Sequence, residues 1–458
     1  MARMRVGRST GAALALAAAL LGGVEPLEAR GLTIVRDVEI EEHVRAIADP
    51  LLTAAGLAPR EVAIYLVKDE RLNAFVAGGQ NLFLNTGLVA RAATPEQLAG
   101  VIAHEVGHIA GGHLSRQVAA RERALGQMLL GAALGLAAAA AGAPQLGTAI
   151  IAGGATVAQS GVLAFTRSQE QAADQAAVTY LAAVGLPPRG LVEFFGVLEA
   201  QDMRLSAQGD VYRRTHPLTR ERITFLEVQD AASPWRGRTL GPERAAVHER
   251  VRAKLDGFLD EPERVLTSWT GESVSARIAR AAALHRRGEV EAAVRIARDL
   301  VTERPDDPFL QELLAQILFE NGRIADSLGP YRKALALRPD AALIRLGLAR
   351  ALLELPGGRG TEEAAKLARE VTLAEPRDAS AFRTLGIAEG RLGRIGPASL
   401  ALAEAAVLSG DKAEARLHLG RAQQVIGPAD PNWLRLQDLL RAADALPEPR
   451  ERDPRSRR

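Results

Sequence analysis

The 458-residue chain contains no cysteine. Disulfide bonds, thiolate metal ligands and a cysteine nucleophile are therefore excluded, so a metal site can use only histidine, carboxylate and water ligands. Aromatic residues make up 4% of the chain, against 47% hydrophobic residues overall. Small aliphatic side chains must then form most of the core, which favours closely packed helices over a β-sandwich. Basic and acidic residues nearly balance, 57 against 55, which gives no indication of nucleic-acid binding.

The length predicts two or three domains, preceded by a targeting segment. Three arginines come before a charge-free apolar run from Thr10 to Val24, and they are Arg3, Arg5 and Arg8. Small residues then lead to a cleavage site ending at Ala29. We therefore predict a signal peptide over residues 1–29 and export, most simply to a bacterial periplasm. An uncleaved anchor helix is the alternative.

Two histidines four residues apart form a pattern that suits a metal. In a helix of 3.6 residues per turn, His104 and His108 lie on one face, so their imidazoles can bind one ion. Glu105 lies beside that face, where it can accept a proton from water that the metal activates. Thr94 and Pro95 indicate the start of the helix that carries this HExxH motif. The alternative is an ordinary helix with two surface histidines.

A small sheet is predicted upstream of this helix. An amphipathic helix between Gly31 and Ala54 comes first, and three segments rich in β-formers follow at 62–67, 72–79 and 81–86. We expect residues 81–85 to form the edge strand, along which an extended substrate can lie by β-augmentation.

Residues 124–166 contain no charged side chain. Gly142-Ala143-Pro144 divides them into two apolar segments, which predicts a helical hairpin. Each half is nearly long enough to cross a bilayer, but alanine and glycine predominate, which makes insertion marginal. We expect a buried or membrane-facing hairpin, with a transmembrane pair as the alternative.

Two acidic residues after the hairpin complete a candidate metal site. Glu170 and Asp174 are four residues apart on a predicted helix, so they share a face. Glu170 is the natural third metal ligand, and Asp174 is the natural acceptor for the free ring N–H of a ligating histidine. Arg167 could pair with Glu170 or a neighbouring acid. The alternative is a plain exposed helix with ion pairs.

Two further histidines lie near these motifs. His113 is about half a turn from His104 on a straight helix, so it is predicted to point away from the metal, as a structural residue or as a partner of a ligand. His216 lies in a turn, marked by Thr215 and Pro217, that enters a helix. It could reach the metal, where it would replace water or stabilise an oxyanion, or it could merely cap the helix.

The C-terminal half repeats with a period of 34 residues. Gly288 and Gly322 are 34 residues apart, and so are Pro305 and Pro339. Small residues recur in the same frame, at Ala281, Ala315, Gly386, Ala293, Ser327, Ala364 and Ala398. This is the tetratricopeptide (TPR) period of paired helices, whose stacking makes a concave surface suited to a peptide or partner. A non-repetitive helical bundle is the alternative.

The repeats also define the predicted organisation of the second half. We expect connecting helices over 236–273 and TPR repeats with a capping helix pair over 274–446. The charged, proline-bearing tail at 447–458 is predicted to be disordered.

The motifs together resemble the HtpX-like family of gluzincin metallopeptidases. The resemblance is carried by His104 to His108, by Glu170 to Asp174, and by Thr215-His216-Pro217 with Arg222. Asn73-Ala74-Phe75 and Thr86-Gly87, before the zinc helix, resemble the family as well. The likeness spans roughly residues 35–230. The signal peptide and the repeats narrow it to the BepA-like periplasmic members.

This resemblance implies a mainly α protein. Its first part would be an α+β zincin-like metallopeptidase domain with a small sheet, over residues 30–235, and its second an all-α TPR solenoid. It also implies one Zn²⁺ per chain, held by His104, His108 and Glu170, with Glu105 as general base and Asp174 supporting a ligand. In BepA-like proteins the histidine that matches His216 can occupy the metal and keep the enzyme latent.

The resemblance further implies a zinc-dependent endopeptidase of the cell envelope. Its substrates would be misfolded or stalled outer-membrane proteins, whose assembly it would also assist by binding the assembly machinery through the TPR domain. Peripheral membrane contact would involve residues 124–166. Two alternatives stay open: mainly a TPR chaperone or scaffold with a latent peptidase, or an integral membrane protease like HtpX.

Overall fold

The computed structural model describes residues 32–140, 144–202 and 215–448. The predicted signal peptide, nearly all of the predicted tail and residues 141–143 lie outside the described residues. The described chain is mainly helical, with one small sheet near its N-terminus and helices alone after it. The predicted fold class is therefore confirmed.

The sheet has four strands in the order β1-β2-β4-β3. Their bounds are β1 Ile34–Val35, β2 Ile64–Val67, β3 Ala74–Ala77 and β4 Asn81–Asn85. β1 and β2 are antiparallel, β2 and β4 are parallel, and β3 and β4 are antiparallel. The three predicted strands are present, and the two-residue β1 was not predicted.

The prediction that residues 81–85 form the edge strand is wrong. β4 pairs on both sides, for example Leu84 with Leu66 of β2 and with Ala74 of β3. Leu82 and Leu84 are fully buried, as suits a central strand, whereas β3 is mostly half-buried. The sheet edge next to β4 is therefore β3.

Seven helices surround the sheet in the N-terminal region that the structure describes. They are α1 Val38–Ala54, α2 Thr86–Arg91, α3 Pro95–Ala110, α4 His113–Ala140, α5 Pro144–Ala183, α6 Arg189–Asp202 and α7 Arg220–Ala232. The Asp37 side chain caps α1 by accepting a hydrogen bond from the Ile40 amide, and Thr94 caps α3 by accepting from Gln97. One core joins Leu51 of α1, Ile102 of α3 and Phe194 of α6, so α3 lies at the centre of this region.

α4 and α5 form the predicted hairpin. Five leucines among its described side chains are between 44% and 62% exposed, namely Leu125, Leu129, Leu130, Leu134 and Leu146. Of the two expected states, burial is therefore wrong for these five leucines, and a membrane-facing surface stays a prediction. Among the described residues, no helix combines the length and the apolarity that crossing a bilayer requires.

Two connecting helices precede five antiparallel helix pairs. The connecting helices are α8 Pro242–Leu259 and α9 Pro262–Ser268; the pairs are α10 Val274–Arg286 with α11 Val290–Glu303, α12 Pro308–Glu320 with α13 Ile324–Leu337, α14 Ala342–Leu353 with α15 Thr361–Ala374, α16 Ala379–Arg391 with α17 Ile395–Leu408, and α18 Lys412–Gln423 with α19 Trp433–Ala445. Gly288, Gly322 and Gly393, each in the turn within a pair, have φ of +83°, +76° and +76°. A left-handed glycine therefore recurs in the turns of three of the described pairs, which explains the glycine spacing.

α8 packs on both regions. Its Val251 and Leu255 belong to the N-terminal core, while Ala253 belongs to the core of the first helix pairs. Nδ1 of His248 in α8 lies 2.9 Å from Nε2 of His43 in α1, and the two rings share a hydrogen bond. The repeat region and the sheet region are thus packed against a shared helix.

Turns between successive helix pairs contact the start of α1. Arg338 pairs with Glu42, and Asp378 accepts a hydrogen bond from Arg36 just before α1. Asp307, at the preceding equivalent turn, accepts from Arg250 of α8. The repeats therefore meet the N-terminal region through equivalent positions of the 34-residue unit.

Candidate metal centre

The candidate site lies where α3 and α5 come into close contact. A Cβ on Gly107 would lie 2.9 Å from the carbonyl oxygen of Ala173 in α5. A larger residue would therefore push the two helices apart. This contact brings the histidines of α3 next to Glu170 and Asp174, which lie on either side of Ala173 in α5.

Four side chains converge on one point. His104, His108, Glu170 and His216 each offer a donor atom, and these atoms all lie within 4.8 Å of one another. Nε2 of His104 lies 3.1 Å from Nε2 of His108 and 3.4 Å from Oε2 of Glu170. Nδ1 of His216 lies 3.2 Å from Oε1 of Glu170.

These separations fit a tetrahedral metal ion. Ligands about 2.1 Å from a tetrahedral ion lie about 3.4 Å from one another, and the observed separations of 3.1 to 3.4 Å are close to that value. Three imidazole nitrogens and a carboxylate are also ligands that borderline metals prefer. The donor set therefore fits a metal ion.

Glu105 lies beside the cluster. Its side chain is fully buried, and within the described part of the chain neither carboxylate oxygen accepts a hydrogen bond. Its Oε1 lies 3.5 Å from Nε2 of His216. Burial raises the pKa of Glu105, although His216 and His104 oppose that effect. A buried carboxylate with unused acceptors is suited to taking a proton from a small molecule that enters the site.

Asp174 and Arg222 contact two of the candidate ligands, His104 and Glu170. Nδ1 of His104 lies 2.9 Å from Oδ1 of Asp174, as predicted. Arg222 donates to both oxygens of Asp174, at 2.6 and 2.9 Å, and its Nη1 lies 2.9 Å from Oε2 of Glu170. The guanidinium that contacts Glu170 is thus that of Arg222 and not of Arg167, which is exposed.

The electrostatics of the site favour a cation. Burial raises the pKa of Glu170, but hydrogen bonds from His104 and His216 outweigh it and hold the pKa well below its usual range. Burial lowers the pKa of His104, but Asp174 and Glu170 outweigh that effect and raise it to about 9. The same carboxylates that favour a proton on His104 would favour a metal cation in its place, because a histidine ligand must be neutral.

His113 does not point away from the cluster as predicted for a straight helix. The helix breaks at Gly111-Gly112, where Gly112 has a φ of +60°, and His113 begins α4. Nδ1 of His113 lies 2.9 Å from Nδ1 of His108. His113 is therefore not a member of the cluster itself, but it contacts the Nδ1 atom of a candidate ligand, which agrees with the predicted role as a partner of a ligand.

Sequence reasoning gave Arg222 no role at the site. Thr219 caps α7, which places Arg222 in the first helical turn, six residues after His216. The same arginine donates to the carbonyl of Pro217 at 2.9 Å. The short spacing between His216 and an arginine in a capped first turn is the signal that could have indicated a shared site.

Comparison with known proteins agrees with this geometry. Residues 38–229 match the model of peptidase family M48. The beta-barrel assembly-enhancing protease of Yersinia pestis is 24% identical over 440 residues, which cover 92% of this chain and 88% of that protein. The protein of the same name from Escherichia coli strain K12 is 25% identical over 435 residues, covering 92% of this chain and 87% of that protein.

Among solved structures, the TPR protein YrrB is 19% identical, with a TM-score of 0.32, over 38% of this chain and 92% of that chain. The matched range contains the cluster of histidines and Glu170, and helix pairs follow it. Residues 38–229 therefore match peptidase family M48, in a chain that is similar to beta-barrel assembly-enhancing protease along most of its length.

Proposed function

We propose that the protein is a zinc-dependent endopeptidase. The observation that carries this proposal is the cluster of His104, His108 and Glu170, with a buried Glu105 whose oxygens accept no hydrogen bond from any described residue. These three side chains would hold Zn²⁺, and a two-histidine, one-carboxylate set favours zinc. A bound zinc ion would supply Lewis-acid polarisation of a peptide carbonyl and activation of water.

The protein's own groups would then move the proton. Glu105 would accept a proton from the attacking water, and its raised pKa suits a base that must later return that proton to the leaving amine. Asp174 would hold His104 in the tautomer that presents Nε2 to the metal. Arg222 would neutralise part of the charge of Asp174 and Glu170, so that both carboxylates stay ionised in a buried site.

His216 would keep the enzyme latent until its turn moves. Its Nδ1 lies among the donor atoms, and its Nε2 lies beside Glu105. In this position the imidazole would fill the metal's fourth position and block the base. Displacement of the turn would free the fourth position and the carboxylate of Glu105. The competing role for His216 is stabilisation of an oxyanion.

An extended polypeptide is the substrate that the sheet edge suits. β3 (Ala74–Ala77) is the edge next to β4, and it contacts α3, which carries the motif. A substrate strand could add to β3 through main-chain hydrogen bonds, which recognise a polypeptide with little regard to its sequence. Residues 74–77, and not the predicted residues 81–85, would therefore be the edge strand to which a substrate adds.

The natural clients would be outer-membrane β-barrel proteins whose assembly has failed, and the site of action would be the periplasm. This proposal is supported by the name of the relatives that match over 92% of the chain and by the predicted signal peptide. The stacked helix pairs would hold the client or the assembly machinery against their concave face. The exposed leucines of α4 and α5 would provide peripheral contact with a membrane.

Metal analysis together with proteolysis tests the proposal. The purified full chain should contain about one zinc per chain, and a Glu105→Gln variant should keep the zinc but lose cleavage of casein. Equal cleavage by wild type and Glu105→Gln would contradict the assigned base. Loss of cleavage with full retention of outer-membrane protein assembly in cells would instead favour a TPR chaperone or scaffold as the main role.

A further inference from the structure

The ring of His113 is aimed at a proposed metal ligand by a break in the backbone. α3 ends at Ala110, and Gly112 adopts a left-handed conformation with φ of +60° before α4 begins at His113. On a continuous helix His113 would face away from His104. The break brings its Nδ1 to 2.9 Å from Nδ1 of His108, with the two rings edge to face at 81°.

Two neighbouring groups fix this placement. A Cβ on Gly111 would lie 2.4 Å from Nε2 of His113, so only glycine leaves room for the ring. Gln169, the residue before Glu170, donates a 3.0 Å hydrogen bond to the backbone carbonyl of His113. The His113 backbone is thus tied to the helix that supplies the proposed third ligand.

The contact restricts the tautomers of both rings. A hydrogen bond between two Nδ1 atoms needs a proton on one of them only. Nε2 of His108 faces His104 and Glu170 at 3.1 and 3.4 Å, so it must be free of a proton to bind a metal. The proton of His108 then lies on Nδ1, and His113 must accept it.

We propose that His113 is a positioning residue, which accepts the Nδ1–H hydrogen bond of His108 and thereby holds His108 ready to bind the metal through Nε2. Asp174 makes the equivalent contact with His104. The two proposed histidine ligands therefore donate to different acceptors, His104 to a carboxylate and His108 to an imidazole. The inference rests on the proposed zinc function of the cluster.

Two substitutions of His113 distinguish a role in positioning His108 from a role in packing alone. His113→Asn places an amide oxygen where Nδ1 lies and keeps an acceptor, whereas His113→Leu keeps much of the volume and removes the acceptor. We expect His113→Leu to weaken zinc binding about 10–100-fold, as loss of a ligand's hydrogen-bond partner does, and His113→Asn to restore most of that affinity. Zinc affinity of the full chain is measured by competition with a chelator, alongside the thermal unfolding temperature of each variant.

Two further variants complete the experiment. Gly111→Ala, which displaces the His113 ring, should weaken zinc binding as His113→Leu does. His285→Leu removes a histidine of the repeats that hydrogen-bonds Glu320 and Asn321, and it should leave zinc affinity unchanged.

The outcomes distinguish this inference from the proposed function. Equal weakening by His113→Asn and His113→Leu, or wild-type affinity in His113→Leu, would overturn the positioning role while leaving the zinc site intact. Absence of zinc from the wild-type chain would overturn the proposed function itself.

Discussion

Nδ1 of His216 lies 3.2 Å from Oε1 of Glu170, and its Nε2 lies 3.5 Å from Oε1 of Glu105. One imidazole thus contacts both a proposed metal ligand and the proposed base. The turn that carries it is held at two points, because Thr215 donates to Asn73 at the start of β3 and Arg222 donates to the carbonyl of Pro217. Release of this turn would change access to the metal and to the base together.

His216→Ala should raise proteolysis severalfold while the zinc content stays the same. The substitution frees the fourth position and the oxygens of Glu105 but leaves His104, His108 and Glu170 in place. Casein cleavage per zinc atom is the measurement. Unchanged or lost cleavage would indicate a structural role or transition-state support for His216 instead of latency.

Glu170→Gln should abolish tight zinc binding. The amide has no negative charge and cannot replace a carboxylate that contacts three histidines and Arg222. The loss of affinity should exceed the roughly 10–100-fold that removal of a ligand's outer partner costs. Elemental analysis of the purified chain measures it, with Glu243→Gln at an exposed position as the matched control. A full equivalent of zinc in Glu170→Gln would show that another residue is the third ligand.

Arg250→Ala should destabilise the protein by about 2 kcal/mol, because it removes the partner of Asp307 and one of the two cations that pair with the buried Glu39, the other being Lys254. Arg250 lies 2.8 Å from Glu39 of α1, which is 3% exposed, and 2.6 Å from Asp307 of the repeats. Urea unfolding of the full chain measures the change.

Arg332→Ala provides the control for this loss. Arg332 pairs with Glu363 on the surface of the repeats, with both side chains about half exposed, and such a pair contributes about 0–1 kcal/mol. Equal destabilisation by the two variants would contradict a special role for the junction between α1, α8 and the repeats.

The free energy of unfolding should fall as the pH drops below about 6.5. Burial lowers the pKa of His43 to about 3 and that of His248 to about 4. Below the pKa of an unfolded imidazole, the unfolded chain therefore binds more protons than the folded chain. Each histidine should cost about 1 kcal/mol of stability at pH 5.5.

Urea unfolding at pH 7.5 and 5.5 measures this dependence. A double variant, His43→Leu with His248→Gln, cannot bind these protons and should lose less stability between the two pH values than wild type. The glutamine amide can still donate to the Ala92 carbonyl, which His248 contacts at 2.7 Å. Equal losses in both proteins would mean that the carboxylates alone set the pH dependence.

Local patterns were sufficient to predict much of the fold and of the site. Thr94 and Pro95 predict the start of α3, and the 3.6-residue period of a helix predicts that His104 and His108 share one face. Part of the repeat frame follows from Gly288, Gly322 and Gly393, which adopt positive φ in the turns within three of the pairs. The pairing of Asp174 with His104 was predicted because ligating histidines commonly donate their other N–H to a carboxylate.

Features that depend on distant contacts were not predictable. Strand order is not a local property, so nothing within residues 81–85 showed that β4 would insert between β2 and β3. Both Arg167 and Arg222 can reach a carboxylate in principle, and only the packing of α7 against α5 and α6 selects Arg222. The orientation of His113 depended on a helix break at Gly111-Gly112, which a straight-helix projection ignores.

The packing of α8 on two cores limits how the two halves of the protein can be exchanged. Val251 and Leu255 belong to the core of the N-terminal region, and Ala253, on the same helix, belongs to the core of the first repeats. A cut at residue 235 would leave α8 with the repeats, where Val251 and Leu255 would be exposed, and would uncover the N-terminal core on which they pack. The two halves therefore cannot be separated there without exposing apolar surface on both. Any lineage that replaced its repeats while keeping the peptidase would have to keep α8 with the peptidase.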